Sequence, residues 1–423
     1  MPQPEQPQTG RLFLMPTRKA MRPYSEGTLM PTQLVTLYGH STEGQLAFPF
    51  HPPPEAGLSI TTEIEHLLAL SSPVAIGVSG GKDSQACALR VMRHLNEVGH
   101  NGPRVLVHAD LGSVEWEDSL PACTRLADHL NLELIVVRRK AGDMLARWQQ
   151  RWRNNVLRYR ELSCVRLIVP WSTPSMRYCT SELKLAPIAS ALKKRFRAQS
   201  IINVSGIRRQ ESAVRSRMPI AQLEPRLTRV HYPGFTWNPI LDWSLAEVLS
   251  EIRRSGMRLH EAYEIYRSSR VSCAFCIMSS AHDLFAAASC AHNHAVYRAM
   301  VELEAESTFA FQGARWLADV APQLLDADLR ARIQQAKEKA LERQRIEAEI
   351  PGHLLYSKGW PTALPTFGEA ELIAYVRRRI SALIPIPGDF LTAETVRARY
   401  AALLEAKAAT QITTCWKGAC HGN

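Results

Sequence analysis

Two short stretches of this 423-residue chain hold residue types at spacings that could do chemistry. The first is Ser79-Gly-Gly-Lys-Asp-Ser84. Gly80 and Gly81 let a backbone come close to an anion, and Lys82 adds a positive point charge. A helix opening near Asp83 would aim its free N–H groups and the positive end of its dipole at the same spot. That combination binds phosphate, and the phosphate expected is that of a nucleotide. The second stretch is Cys273-Ala-Phe-Cys276, with Cys290 fourteen residues further on. A Cys-x-x-Cys pair lets two thiolates meet one metal centre, but two ligands do not complete a tetrahedral site, so others must come from elsewhere in the fold.

These side chains need a frame. The apolar run Val74–Val78 is bounded by Pro73 and the glycines, and Ala88, Val91, Met92 and Leu95 follow at helical spacing, which reads as strand, turn, helix. A helix over Thr61–Leu70 precedes it. Strands over Arg104–Asp110, Leu132–Val137 and Ser200–Val204 alternate with helices over Leu120–Leu130 and Leu245–Ser255. This alternation predicts an α/β fold, a doubly wound, mostly parallel sheet with ligands at the carboxyl ends of its strands. Residues 1–57 hold ten of the 26 prolines without a sustained period and read as a mostly disordered arm, with at most a strand over Gln33–Leu37. Residues 58–294 read as the nucleotide-binding domain and 295–423 as a helical C-terminal region and tail.

The glycine loop is not the common P-loop, because Ile76 stands five residues before Gly81 and Asp83 follows Lys82; a Walker-type magnesium site is therefore not expected. Ser79–Ser84 instead resembles the PP-loop of the ATP pyrophosphatases, a group that includes sulfurtransferases, amide-forming synthetases and the phosphoadenosine phosphosulfate (PAPS) reductase family. More residues carry the likeness, from about Pro73 to about Cys290. Asp110-Leu111-Gly112 keeps the outer two residues of the family's Asp-Thr-Gly, although an aspartate capping its own turn is the plain alternative. Met176–Pro187 is similar to the segment in which a cysteine or a cysteine pair precedes a basic residue and a proline; here Cys179 stands alone, with Tyr178 in the other place. Gly206-Ile-Arg-Arg-Gln-Glu-Ser212, with Arg215 beyond, matches Gly-x-Arg-x-x-Glu-Ser and a following arginine, and guanidinium forks suit phosphate or sulfate. Asn238–Ser244 also looks like the family's Pro-Ile-x-Asp-Trp segment.

The resemblance implies site residues. Ser79, Gly80, Gly81, Lys82, Asp83, Ser84, Asp110, Gly206, Arg208, Glu211, Ser212 and Arg215 would bind the nucleotide, with Lys82, Asp83 and Arg208 catalytic. Family members with a cluster bring the Cys179 segment against the later Cys-x-x-Cys, which implies a [4Fe-4S] cluster on Cys179, Cys273, Cys276 and Cys290. Zinc, with His282, His292 and His294 nearby, and a buried redox-silent pair are the alternatives. Cys87, Cys123 and Cys164 read as core residues.

Lysine and arginine outnumber aspartate and glutamate by 51 to 40, a net charge of +11, which suits an anionic partner. Between Arg138 and Arg166 there are nine basic and two acidic residues, with Trp148, Trp152 and Tyr159 interleaved. Arg147, Arg151, Arg153 and Arg158 are the candidates for nucleic-acid phosphates; a solvated helix face packed by its tryptophans explains the pattern equally. No apolar run has the length of a membrane span and the N-terminus lacks a signal-peptide core, so a cytoplasmic protein without a membrane partner is expected. Nine cysteines in such a protein point to metal, cluster or catalytic use.

A basic, cluster-bearing member of the family resembles the DndC-type proteins of bacterial DNA phosphorothioation. The function so implied is an ATP pyrophosphatase that adenylates a nucleic acid, DNA first, for sulfur insertion. ATP with Mg2+ and a [4Fe-4S] cluster would be its cofactors; a sulfur donor such as a cysteine desulfurase and other modification subunits would be its partners. The alternatives are an assimilatory sulfonucleotide reductase and a nucleotide-sensing subunit of a defence complex. The reductase's Glu-Cys-Gly-x-His signature is poorly matched by Gly418-Ala-Cys-His-Gly422.

Overall fold

The central strand β1 (Val74–Val78) is buried on both sides, which is why it reads as an unbroken apolar run. In this computed structural model, which describes residues 55–419 with the side chains of 410–419 excepted, β1 lies inside a six-stranded sheet of order β3-β2-β1-β4-β6-β5. β2 (Arg104–Asp110), β3 (Glu133–Arg138), β4 (Ile202–Ser205) and β6 (Phe235–Trp237) run parallel to β1, and only the edge strand β5 (Ala221–Leu223) is antiparallel. The fold is thus the α/β class that the alternating pattern predicts. The strand over Gln33–Leu37 and Cys420 with its neighbours lie outside the described residues.

Period-two alternation along β1 divides the apolar material. Val74, Ile76 and Val78 join Ala88, Val91 and Leu95 of α2 (Lys82–Glu97) in one core. Ala75 faces the other way, with Val105, Val107, Leu192 and Phe196, beneath α6 (Ala186–Arg195). The first core also takes α1 (Thr62–Ala69), α3 (Ser119–Leu130) and α7 (Leu245–Ser255). Before α6 the chain makes the single turn α5 (Tyr178–Thr180) and a π turn, Ser181–Leu185. Such widened turns recur at functional sites.

A third core lies around α4 (Met144–Arg160) and gathers residues from Leu111 to Tyr400. It includes residues of α9 (Ala281–Ser289), α10 (His294–Ser307), α11 (Ala327–Ala348), α12 (Phe367–Leu383) and α13 (Ala393–Ala419). The helices beyond residue 294 therefore pack with α4 and the Cys-x-x-Cys segment, and no break in the packing marks residue 295. All described residues belong to one compact unit, Pro53–Asn423. Among them no helix is long and apolar enough to cross a membrane.

Candidate nucleotide and cysteine site

β1 delivers the chain to Ser79 and α2 takes it away at Lys82, so the glycine loop sits at the carboxyl end of a central strand. Gly80 has φ +75°, a conformation that a side chain would strain, and a Cβ there would also stand 2.9 Å from the His260 ring. Ser84 closes the loop: its hydroxyl donates to the Gly81 carbonyl (2.8 Å) and accepts the Ser79 N–H (3.3 Å). Lys82 is nine-tenths buried, its Nζ 3.2 Å from the Ser269 carbonyl and 3.4 Å from Asp83. That ammonium also lies 4.9 Å from the centroid of the Tyr263 ring.

The second motif arrives from the neighbouring strand. Gly77 of β1 pairs with Ser205 of β4, which puts Gly206 against the first turn of α2. A Cβ at 206 would lie 2.7 Å from the Asp83 carbonyl, so only glycine permits this approach. Arg208 then reaches back and donates its Nε to Asp83 Oδ1 (2.5 Å). Glu211 folds the motif by accepting the Arg208 N–H (2.7 Å) and pairing with Arg215, while Ser212 Oγ accepts the Arg215 N–H (3.2 Å). Two motifs more than a hundred residues apart in sequence thus meet at Asp83. Asp110 is at the end of β2, where it accepts the Gly112 N–H (2.7 Å) and pairs with Arg138 (2.6 Å). It caps its own turn.

Residues 73–277 match the model of the phosphoadenosine phosphosulfate reductase domain. This stretch of the chain belongs to that domain family. Comparison with curated proteins gives no match. Among solved structures the chain is similar to the PAPS reductase of Candida auris in a phosphate complex, with 13% identity over 52% of this chain and 98% of that one, at a TM-score of 0.32. It is similar also to the NH3-dependent NAD synthetase of Campylobacter jejuni (15% identity, 66% and 88% covered, TM-score 0.25). A third is the U34-tRNA thiolase NcsA of Methanococcus maripaludis with its [4Fe-4S] cluster (14%, 60% and 82%, TM-score 0.23). At these TM-scores none of the three bears on function.

The PAPS reductase domain places further groups at the loop that motif reading missed. Tyr263, in the short helix α8 (Glu261–Glu264), presents its hydroxyl to the Lys82 N–H (3.3 Å) and the Val271 N–H (3.0 Å). One oxygen therefore takes two backbone donors beside the phosphate loop, as a phosphate oxygen would. His260 caps α8 by accepting the Ala262 N–H (3.0 Å), and burial pushes its pKa down to about 4. His108 sits beneath the loop with Nδ1 3.1 Å from the Val78 carbonyl and Nε2 3.1 Å from Glu115. Both ring nitrogens face oxygens, an arrangement that favours the protonated ring. Burial opposes that charge, but Cys123 and Glu115 outweigh it and hold the pKa up at about 10. The available signal was a histidine inside the apolar strand Arg104–Asp110.

The cysteines are only partly gathered. Cys179, Cys273 and Cys276 are half-buried, and Cys273 feels both of the others. Desolvation holds its thiol up at about 12, with Lys184 pulling the other way. Cys276 Sγ accepts the Met278 N–H (3.5 Å). Cys290 is buried and interacts with Tyr266, whose hydroxyl that contact first, and burial second, pushes up to about 12. Among the described residues no group of three or more His, Cys, Asp or Glu could hold a metal ion. His294 is bonded to the Ala288 carbonyl (3.0 Å), while His282 and His292 lie by Asp283 and Glu117. Cys290, the expected fourth ligand, is a buried member of the same core against which Cys179 and Cys273 pack. Cys87, Cys123 and Cys164 are buried, as core residues should be.

The basic segment is the helix α4, started by Asp143, whose carboxylate accepts the Ala146 N–H (2.8 Å). Trp148, Trp152 and Tyr159 are buried, so they pack and do not offer faces to bases. Arg147 forks onto Glu182 (2.7 and 3.0 Å), and Arg147 and Arg151 both stack on Tyr178, 4.6 and 5.1 Å away. Arg151 also donates to the Val169 carbonyl (2.9 Å), and Arg158 lies over Tyr356. Arg153 is exposed and, among the described residues, donates to Gln150 of its own helix (3.1 Å).

Proposed function

We propose that this chain is an ATP pyrophosphatase that adenylates a nucleic acid, the DNA backbone first among candidates, so that sulfur can displace the adenylate. An oxygen of the substrate attacks the α-phosphate of ATP and pyrophosphate leaves. The N–H groups at the start of α2 and Lys82 stabilise the charge growing on that leaving group, and Arg208 adds a second cation at the same mouth. A sulfur donor such as a cysteine desulfurase then supplies a persulfide whose outer sulfur expels AMP, and a thiol reductant cleaves the S–S bond so formed to leave the thiolated phosphate. The observation that carries this reading is the meeting of Lys82, Asp83 and Arg208 over a glycine loop at the end of a central strand. The net charge of +11 supports a polyanionic substrate. Magnesium would accompany the ATP.

One observation favours a second reading. The family model over residues 73–277 is that of a sulfonucleotide reductase, which would release sulfite from PAPS. Incubating the full chain with ATP or with PAPS, each with and without DNA, and identifying the products separates the two. AMP and pyrophosphate from ATP, increased by DNA, are expected. Sulfite from PAPS with a thiol reductant would establish the reductase instead.

A further inference from the structure

Residues 258–271 cross the glycine loop as a strap, and three successive loop residues meet it. A Cβ on Gly80 would stand 2.9 Å from the His260 ring, and one on Gly81 would lie 3.6 Å from both the Tyr263 hydroxyl and the Val271 side chain. Lys82 is engaged twice: its N–H donates to the Tyr263 hydroxyl (3.3 Å) and its ammonium to the Ser269 carbonyl (3.2 Å). The Tyr263 oxygen therefore stands between the first N–H of α2 and the N–H of Val271 (3.0 Å), two residues before Cys273.

The strap is pinned at its ends and exposed in its middle. At the start, Gln85 donates to the Arg258 carbonyl (3.1 Å) and the Glu261 N–H to Asp118 (3.1 Å). At the end, the buried Asp283 accepts the Ser268 hydroxyl (3.1 Å) and both the N–H and the hydroxyl of Ser269 (2.7 and 3.0 Å). Just beyond, the Ala274 N–H donates to the Val114 carbonyl (2.8 Å), so Val271 is held in place from both sides. Between these anchors Glu264, Ile265 and Arg267 are exposed, and Arg267 takes φ +60°, a left-handed conformation that few non-glycine residues adopt. Exposed turns of this kind open at lower cost than the core around them.

The acceptor between the two N–H groups is a weak one. Burial pushes the pKa of Tyr263 up, so its oxygen is that of a neutral phenol. A phosphate oxygen is charged, and charge-assisted hydrogen bonds are roughly twice as strong as neutral ones. The positive end of α2 favours that charge further. We propose that Tyr263 is a gate: pyrophosphate at the glycine loop takes its place on the Lys82 and Val271 N–H groups, and the departing ring opens the loop toward the Cys273–Cys276 segment. The assignment rests on reading the glycine loop as the seat of the pyrophosphate of ATP. It sets an order, because the loop must be filled before the way from nucleotide to cysteines is open.

Amide hydrogen exchange of the full chain, with inorganic pyrophosphate as the probe, tests this. With pyrophosphate, residues 79–85 should exchange several-fold more slowly and residues 261–267 several-fold faster, since the gate opens as the loop fills. In Tyr263→Phe, residues 261–267 should exchange faster without pyrophosphate and show no further rise with it. If pyrophosphate slows residues 79–85 while residues 261–267 slow too or do not change, Tyr263 stays in place; the gate is then wrong and the phosphate loop stands. A Tyr263→Phe chain that keeps the full pyrophosphate-driven rise overturns the gate as well. If residues 79–85 do not respond to pyrophosphate, the reading of the loop falls and the gate with it.

Discussion

Lys82, Arg208 and Tyr263 do different work although they stand within one small volume. Lys82 contributes charge where charge develops, and its ammonium donates to the Ser269 carbonyl. Lys82→Ala should lower ATP turnover about a hundredfold or more while a cooperative melting transition persists. Arg208→Ala should lose turnover and stability together, because Asp83 would lose its closest hydrogen-bond donor in a nearly closed site and keep only Lys82; about 1–3 kcal/mol is expected in urea unfolding. Retained turnover in either variant would move the site elsewhere. Tyr263→Phe should act in the opposite direction. Its hydroxyl competes with phosphate for the Lys82 N–H, so removing it should tighten pyrophosphate binding several-fold by calorimetry, and weaker binding would make that hydroxyl a ligand contact.

At the scale of the element, α4 has two faces with separate duties. The buried aromatic face and the Glu182, Val169 and Tyr178 contacts tie Arg147 and Arg151 to the protein, so replacing them perturbs packing as well as charge. Arg153 is the clean probe of phosphate contact. If it neutralises a phosphate, Arg153→Ala should flatten the log–log salt dependence of nucleic-acid binding by about 0.7–0.9 without changing the melting temperature. An unchanged slope would make this face a solvated one.

One of the three cores of the described residues runs across residue 295, and one buried carboxyl reports on that packing. Burial, outweighing three N–H donors, raises the pKa of Glu304 from 4.5 to about 7. A folded pKa above the unfolded one means that the neutral form stabilises. That contribution is complete below pH 4.5 and is lost as pH rises through 7. The shift corresponds to about 3 kcal/mol at most. Glu304→Gln, neutral at every pH, should therefore gain stability relative to the wild-type chain between pH 4.5 and 7.5 in denaturant titrations. A constant difference across that range would show that Glu304 does not titrate there.

Local sequence determined what local physics controls. An apolar run buried on both faces announces β1 without alternation, and two glycines before a lysine announce an anion loop because few other residues let a backbone come so close. Gly206 and Arg208 were legible as a motif, but that they meet Asp83 follows from the register of β1 with β4, a pairing that spans more than a hundred residues. The roles of Tyr263 and His108 follow from where α8 and β2 end in space, which no spacing encodes. The cysteines divide the same way: Cys273 and Cys276 are near one another by spacing alone, whereas packing decided that Cys290 would serve Tyr266 and the core. The arginines of α4 were visible as charge, yet only the packing of its aromatic face decided which of them remain open to solvent. Contacts distant in sequence are set by the summed burial of several elements, and that sum exists only once the chain has folded.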